Sequence, residues 1–277
     1  MPLNEIAMPY HKETAATKIA KSFDKFINVP VTPKQIVTHL RKIAGTSTIL
    51  TTSKSDVIDP NNIGLNAYYD PDEDEDDEKP FELVAVFNPS DKQISMDRAG
   101  WREFAAQVID YLEHEMIHQY QYRSRDFQPN RAFKSKAKDP HIKSQQEYLG
   151  NTDEIEAYAY NLANELLRKT KGDYDMTLRL LGNFSRTAIT KDQAGRFLSP
   201  NLYGYFKDFN FDTTHPVLKR LMKKTYQYVN ILKKKQEKKA RSAERDAEIK
   251  KANEAFKERK EALDKQQGSS YTAIISN

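Results

Sequence analysis

The chain has 277 residues, 38% of them apolar and 30% charged, a balance that suits one well-filled core joined to a segment too polar to enter it. It contains no cysteine, which excludes disulfide scaffolds and thiolate metal sites, so any metal has to be held by histidine and carboxylate. The opening Met-Pro-Leu-Asn-Glu-Ile lacks a basic segment followed by an apolar one, and no apolar run reaches bilayer length; the expectation is a soluble protein of the cytoplasm with no membrane span.

The net charge of +4 conceals an asymmetry. Between His215 and Lys265, 17 Lys and Arg face 8 Asp and Glu, so the basic character belongs to this stretch and the rest of the chain is acidic.

In chain order, Glu13 to Phe26 and Thr32 to Ile43 read as two short helices, the second opened by Thr32-Pro33 and closed by Gly45. Thr48 to Thr52 and Gly64 to Tyr69 read as strands. Asp70 to Glu78 holds eight carboxylates in nine residues; such repulsion predicts a solvated loop between strands, with a calcium site as the functional alternative. Phe81 to Phe87 is the strongest strand, stopped by Asn88 and Pro89.

Asp97 is a good N-cap for a long helix over about 98–122, in which Trp101, Phe104, Ala105, Val108, Ile109, Leu112 and Met116 form one apolar stripe. Arg123 to Tyr148 reads as a polar connection, long enough to suggest function or local structure of its own. Asp153 opens a second strong helix over about 153–170, and a further helix is expected at Asp173 to Leu181. Phe197 to Phe211 is aromatic and irregular. From Pro216 almost to Gln267 the chain reads as helix, first with apolar anchors, then with little but Ala among Lys and Glu. The expected division is a compact domain over residues 1–232 and a charged helical tail over 233–277 with a disordered end.

One run carries chemistry. In His114-Glu115-Met116-Ile117-His118 the histidines are four apart, so on a helix both imidazoles stand on one face within reach of one metal ion, with the Glu115 carboxylate beside them to take a proton from an activated water. A chance match is expected in roughly one sequence in a hundred. Both histidines fall opposite the apolar stripe, on the side of Gln107 and Gln121, so they are not core histidines of that stripe; the plainer alternative is a pair of exposed surface histidines.

A catalytic zinc needs a third protein ligand. The run His114 to His118 followed by Asp153-Glu154-Ile155-Glu156-Ala157, with Glu154 36 residues after His118, resembles the gluzincin metallopeptidases. It is similar in particular to zincin-like proteins of tailed bacteriophages, and the likeness covers Asp97 to Lys171. The resemblance implies an α+β, zincin-like fold: a small N-terminal sheet packed on the active-site helix, then a helical C-terminal part. It also implies zinc held by His114, His118 and Glu154, with Glu115 as general base in peptide-bond hydrolysis. Ala157 matches the small residue that lets the two helices approach, which favours Glu154 over Glu156; Glu156 could instead cap the helix start. Where many gluzincins carry an Asp one turn after the ligand Glu, this chain has Tyr158, so the residue supporting the histidine is left open. Tyr158, Tyr160, Tyr203, Tyr205 and His215 are eligible to stabilise the oxyanion. The strand Leu83 to Phe87 could receive a peptide by edge pairing, or could be internal.

The implied partner is a protein or peptide substrate, met in a host cytoplasm or virion if the source is a phage. The basic tail reads as an exposed helix or weak coiled coil, with a protein partner or nucleic acid as alternatives. Two other function classes stay in view: a SprT-like protease acting near DNA with His141 as third ligand, and a non-enzymatic structural protein with a vestigial metal site.

Overall fold

A computed structural model describes residues 19, 21–44, 48–76, 80–186, 192, 195–196 and 200–275. It contains two compact units, Met1–Val229 and Asn230–Asn277. The expected helix over Glu13 to Phe26 falls largely outside the described residues; a 3-10 turn, Asp24–Phe26, closes it.

Helix α1 (Pro33–Ala44) starts on a reciprocal cap. The Gln35 N–H donates to Thr32 Oγ1, and Gln35 Oε1 accepts from the Thr32 N–H, satisfying two donors that a helix start leaves free. Strands β1 (Thr48–Lys54), β2 (Ile63–Tyr69) and β3 (Phe81–Phe87) form a sheet in the order β1-β3-β2, with β1 parallel and β2 antiparallel to β3. The central place of β3 explains its apolar sequence. It also decides between the two readings of Leu83 to Phe87: the strand is internal, with both edges occupied, one by β1 and the other by β2.

The acidic run is not a solvated loop. It forms a short helix, α2 (Pro71–Glu75), whose start is capped by Asp70 with Pro71 at the first position. Asp74 points inward and is buried. It accepts two 2.7 Å bonds from Arg123, one of 2.6 Å from Gln119 and one of 3.0 Å from the Tyr69 hydroxyl. Repulsion is met by turning Asp70, Asp72, Glu75 and Asp76 towards water and matching the inward Asp74 with a bidentate guanidinium. Residues 77–79 lie outside the described residues. Among the described residues this run supplies no group of three ligands converging on an ion, which leaves the calcium alternative without a site.

Helix α3 (Arg98–Arg123) is capped by Asp97, whose carboxylate accepts from the Gly100 N–H. Its apolar stripe, Trp101, Phe104, Ala105, Val108 and Leu112, packs with Ile36, Val37 and Leu40 of α1 on the sheet face that carries Leu50, Leu65, Leu83 and Ala85. Trp101 stacks on Phe23 with ring centroids 5.4 Å apart and donates its indole N–H to the Phe26 carbonyl, so the largest core side chain leaves no polar atom unpaired.

The connection after α3 is part helix. Asp139-Pro140 starts α4 (Pro140–Leu149), the Asp139 carboxylate accepting from the His141 and Ile142 N–H groups. Helix α5 (Thr152–Lys169) is capped by Asn151, so it begins ahead of the expected start at Asp153. The Asp153 side chain, relieved of capping, binds Arg125 through two bonds, of 2.9 and 2.7 Å, and Asn130 at 3.1 Å, pinning the preceding crossover. Helices α6 (Tyr174–Arg186) and α7 (Pro200–Asp208) follow. The second replaces the irregular stretch expected at Phe197 to Phe211, its Tyr205 and Phe206 buried with Phe209 just beyond.

Helix α8 (Pro216–Ile275) supplies Val217, Leu218, Leu221 and Met222 to the core of the first unit. In the second unit the helix is solvent-facing along its described side chains from Lys234 onward, and Ile249 is one of the few large apolar residues there, 48% exposed. The fold is α+β, a small sheet among many helices. Among the described residues no helix is long and apolar enough to cross a membrane.

Candidate metal centre

The site forms where α3 and α5 pack together. The sheet takes one side of α3, and α5 takes the opposite side, so His114 and His118 are buried although they stand across from the apolar stripe, and Glu115 is buried beside Tyr69 of β2. The close approach needs small side chains on α5; Ala157 and Ala159 are fully buried. One turn before Ala157, Glu154 enters the space between the two imidazoles.

Glu154 Oε2 lies 3.4 Å from His114 Nε2, and Oε1 lies 3.3 Å from His118 Nε2. One ligand atom from each of the three residues falls within 4.8 Å of the others. A tetrahedral ion with bonds of about 2.0–2.2 Å needs its ligand atoms roughly 3.2–3.6 Å apart; each histidine stands at that span from a different Glu154 oxygen, so a shared ion needs the set to draw in from 4.8 Å by a modest side-chain adjustment. Glu154 Oε2 is also buried, and its 3.4 Å contact with His114 Nε2 falls short of a well-formed hydrogen bond. A buried carboxylate oxygen in that state is costly unless a cation completes its shell. The donor set fits a divalent ion.

The electrostatics agree with that fit. Burial would raise the Glu154 carboxyl, but hydrogen bonds and charge from His114 and His118 override it and hold Glu154 well below the usual carboxylate range. For His118, burial disfavours the cation, yet the hydrogen bond and charge of Glu154, with Glu115 adding, push the imidazole well above its ordinary value. Without metal, a protonated imidazole therefore supplies the positive charge that the carboxylates call for. Glu115 itself is raised by burial, against the pull of His114 and His118; Glu154 adds to the rise, and a hydrogen bond from the Tyr69 backbone opposes it. A buried glutamate shifted upward is suited to proton transfer near neutral pH.

No protein-family model, curated protein or solved structure matches this chain. The site is therefore read from its own geometry.

The other sequence-level candidates separate cleanly. Glu156 faces away to pair with Lys224 and lies 3.5 Å from the Gln121 amide nitrogen; it neither joins the histidines nor caps the helix. His141 is exposed at the start of α4 and outside the converging group. Tyr205 donates its hydroxyl to the Leu149 carbonyl at 2.6 Å, so that proton is committed. Tyr203 packs on Phe211 and His215 on Phe209, while Tyr160 packs edge-on against Tyr228. Tyr158 stays near the site, its ring standing edge-on to His114 with centroids 4.8 Å apart.

Three contributors carry no spacing signal and escape sequence reasoning. Gln121 Oε1 lies 3.0 Å from His118 Nδ1, and its amide nitrogen donates to the Asp153 carbonyl at 3.2 Å. Asn161 Nδ2 lies 3.3 Å from His114 Nδ1, filling from two turns after Glu154 the supporting position that Tyr158 does not fill. Tyr148, at the end of α4, has its phenol raised by burial and by the charges of Glu154 and Glu115, with a hydrogen bond to Glu154 adding to the shift. It is 52% exposed and so stands where the site meets solvent.

Proposed function

We propose that the chain is a zinc-dependent peptidase of the gluzincin type, with zinc held by His114, His118 and Glu154. The observation that carries this reading is the convergence of those three buried side chains around a His-Glu-x-x-His run on one helix. Imidazole and carboxylate together suit zinc better than magnesium or calcium, which favour all-oxygen shells. When bound, zinc supplies Lewis acidity for a carbonyl and an activated water.

The residues of the chain do the rest. Glu115 accepts the proton of the attacking water and returns it to the departing amine; its raised carboxyl holds that proton more readily between the two transfers than an exposed glutamate would. The Tyr148 hydroxyl, at the solvent boundary beside Glu115 and Glu154, is the donor best placed to hold the developing oxyanion. The free edge of β2 leads to Tyr69, whose backbone N–H bonds Glu115. An extended peptide laid along that edge would run past the base. This supports a protein or peptide substrate and an internal scissile bond.

The test is metal analysis of the purified full chain beside a peptidase assay on unfolded protein, with Glu115→Gln as control. The expected result is about one zinc per chain, with hydrolysis abolished and zinc retained in the control. Absence of zinc from the wild-type chain after zinc supplementation would end the reading. A zinc-loaded chain inert towards every unfolded substrate would move the site to a structural role.

A further inference from the structure

The two site histidines are held by amides that face them in opposite senses. Gln121 presents its carbonyl oxygen to His118 Nδ1 at 3.0 Å. Only an Nδ1–H can satisfy that oxygen, so once His118 gives up its Nε2 proton the lone pair left there points at Glu154, the arrangement that a metal ligand needs. Asn161 instead presents its amide nitrogen to His114 Nδ1 at 3.3 Å. That nitrogen donates, so Nδ1 has to accept. The His114 proton is then on Nε2, where it faces Glu154 Oε2 at 3.4 Å. An imidazole in that form offers no lone pair to a cation on its Nε2 side.

Asn161 has a second peculiarity. Its nitrogen has two acceptors within reach, His114 Nδ1 and the Asp110 carbonyl at 3.4 Å, whereas its Oδ1 is buried with no partner. A half-turn of the amide exchanges these positions. The oxygen then meets an Nδ1–H on His114, while the nitrogen gives up Asp110 and takes the buried position where the oxygen has no partner, a cost that the ligated state of His114 has to offset.

We propose that the Asn161 amide is a two-position rotor that sets the tautomer of His114, resting with its nitrogen towards the ring in the metal-free chain and with its oxygen towards the ring once a cation is bound. The inference rests on the metal-centre reading. Asn161 is a positioning residue; it acts through His114 and touches neither cation nor substrate. His118 needs no such change, because Gln121 already presents an acceptor and is held in place by the Asp153 carbonyl.

Two measurements on the full chain decide the matter. Imidazole 15N spectra of the wild type, with His114 assigned by comparison with a His118→Asn sample, should show the His114 proton on Nε2 without metal and on Nδ1 with zinc. Zinc affinity by chelator competition should fall by roughly 10- to 100-fold in Asn161→Leu. It should stay at or above the wild-type value in Asn161→Asp, whose carboxylate accepts in either orientation and should already hold the proton on Nδ1 without metal. A merely structural role would weaken both variants together. A His114 proton on Nδ1 in both states of the wild type, or wild-type affinity in a folded Asn161→Leu, overturns the rotor. Failure of the wild-type chain to take up zinc at all would sink the metal centre itself and is read separately, from stoichiometry.

Discussion

His118 Nε2 lies 3.3 Å from Glu154 Oε1 across the α3–α5 contact, and without metal the two form a buried ion pair. Removing one partner of such a pair leaves an uncompensated charge, at a cost of about 3–5 kcal/mol. Glu154→Gln should therefore destabilise the metal-free chain markedly at neutral pH, measured by denaturant unfolding. The pH signs differ for the two partners. The His118 contribution, with its folded value raised, is full below the ordinary imidazole range and fades as the solution becomes alkaline. The Glu154 contribution, with its folded value lowered, is full above the ordinary carboxyl range and fades on acidification. The variant should lose both limbs of that dependence, and an unchanged stability profile would contradict the ion pair.

The same pair predicts proton release. At neutral pH His118 carries a proton that a metal ligand has to give up, so zinc binding should expel a proton and strengthen as pH rises. Calorimetric titration in buffers of different ionisation enthalpy reads this directly. Identical heats in all buffers would count against it.

Tyr148 and Tyr158 both feel the charges of Glu115 and Glu154, and of the two Tyr148 is the more exposed to solvent. Tyr148→Phe should lower kcat by about 10²-fold, the usual effect of losing one oxyanion donor, while zinc content stays at the wild-type level. A change in KM alone, with kcat intact, would place the hydroxyl outside the reaction.

Asp74 ties α2 and β2 to α3 through Arg123, Gln119 and Tyr69. Burial opposes its ionisation, but the hydrogen bonds, led by that of Arg123, prevail and hold it below the ordinary carboxyl range. Its contribution is accordingly present near neutrality and lost as pH falls. Asp74→Ala should cost about 1–3 kcal/mol, towards the lower end because the Arg123 side chain is half exposed and can return to water. Equal stability of variant and wild type at neutral pH would show that this network holds nothing together.

Strong periodicity makes much of the fold legible. The Trp101 to Leu112 stripe places α3, the apolar run Phe81 to Phe87 places the central strand, and the four-residue spacing of His114 and His118 gives the two histidines of the cluster. Where sequence and structure part, a local rule is outweighed by one distant partner. Eight neighbouring carboxylates argue for a loop until Arg123, some fifty positions later, donates to the inward-facing Asp74. Helix α4 is signalled by Asp139-Pro140, but its mostly polar body buries only Leu149, so periodicity is silent there. Gln121 and Asn161 are illegible for another reason. An amide has no charge, and its partner depends on how α3 and α5 are registered, which no spacing along the chain encodes.

Asp153 and Glu154 are consecutive residues with duties in different parts of the molecule: the first anchors Arg125 and Asn130 of the crossover between α3 and α4, and the second faces the two histidines. One peptide unit thus joins the surface crossover mechanically to the cluster. Grafting, trimming or cross-linking residues 124–139 would tug on the carboxylate that faces both histidines, so the segment that looks most expendable is a handle on the cluster.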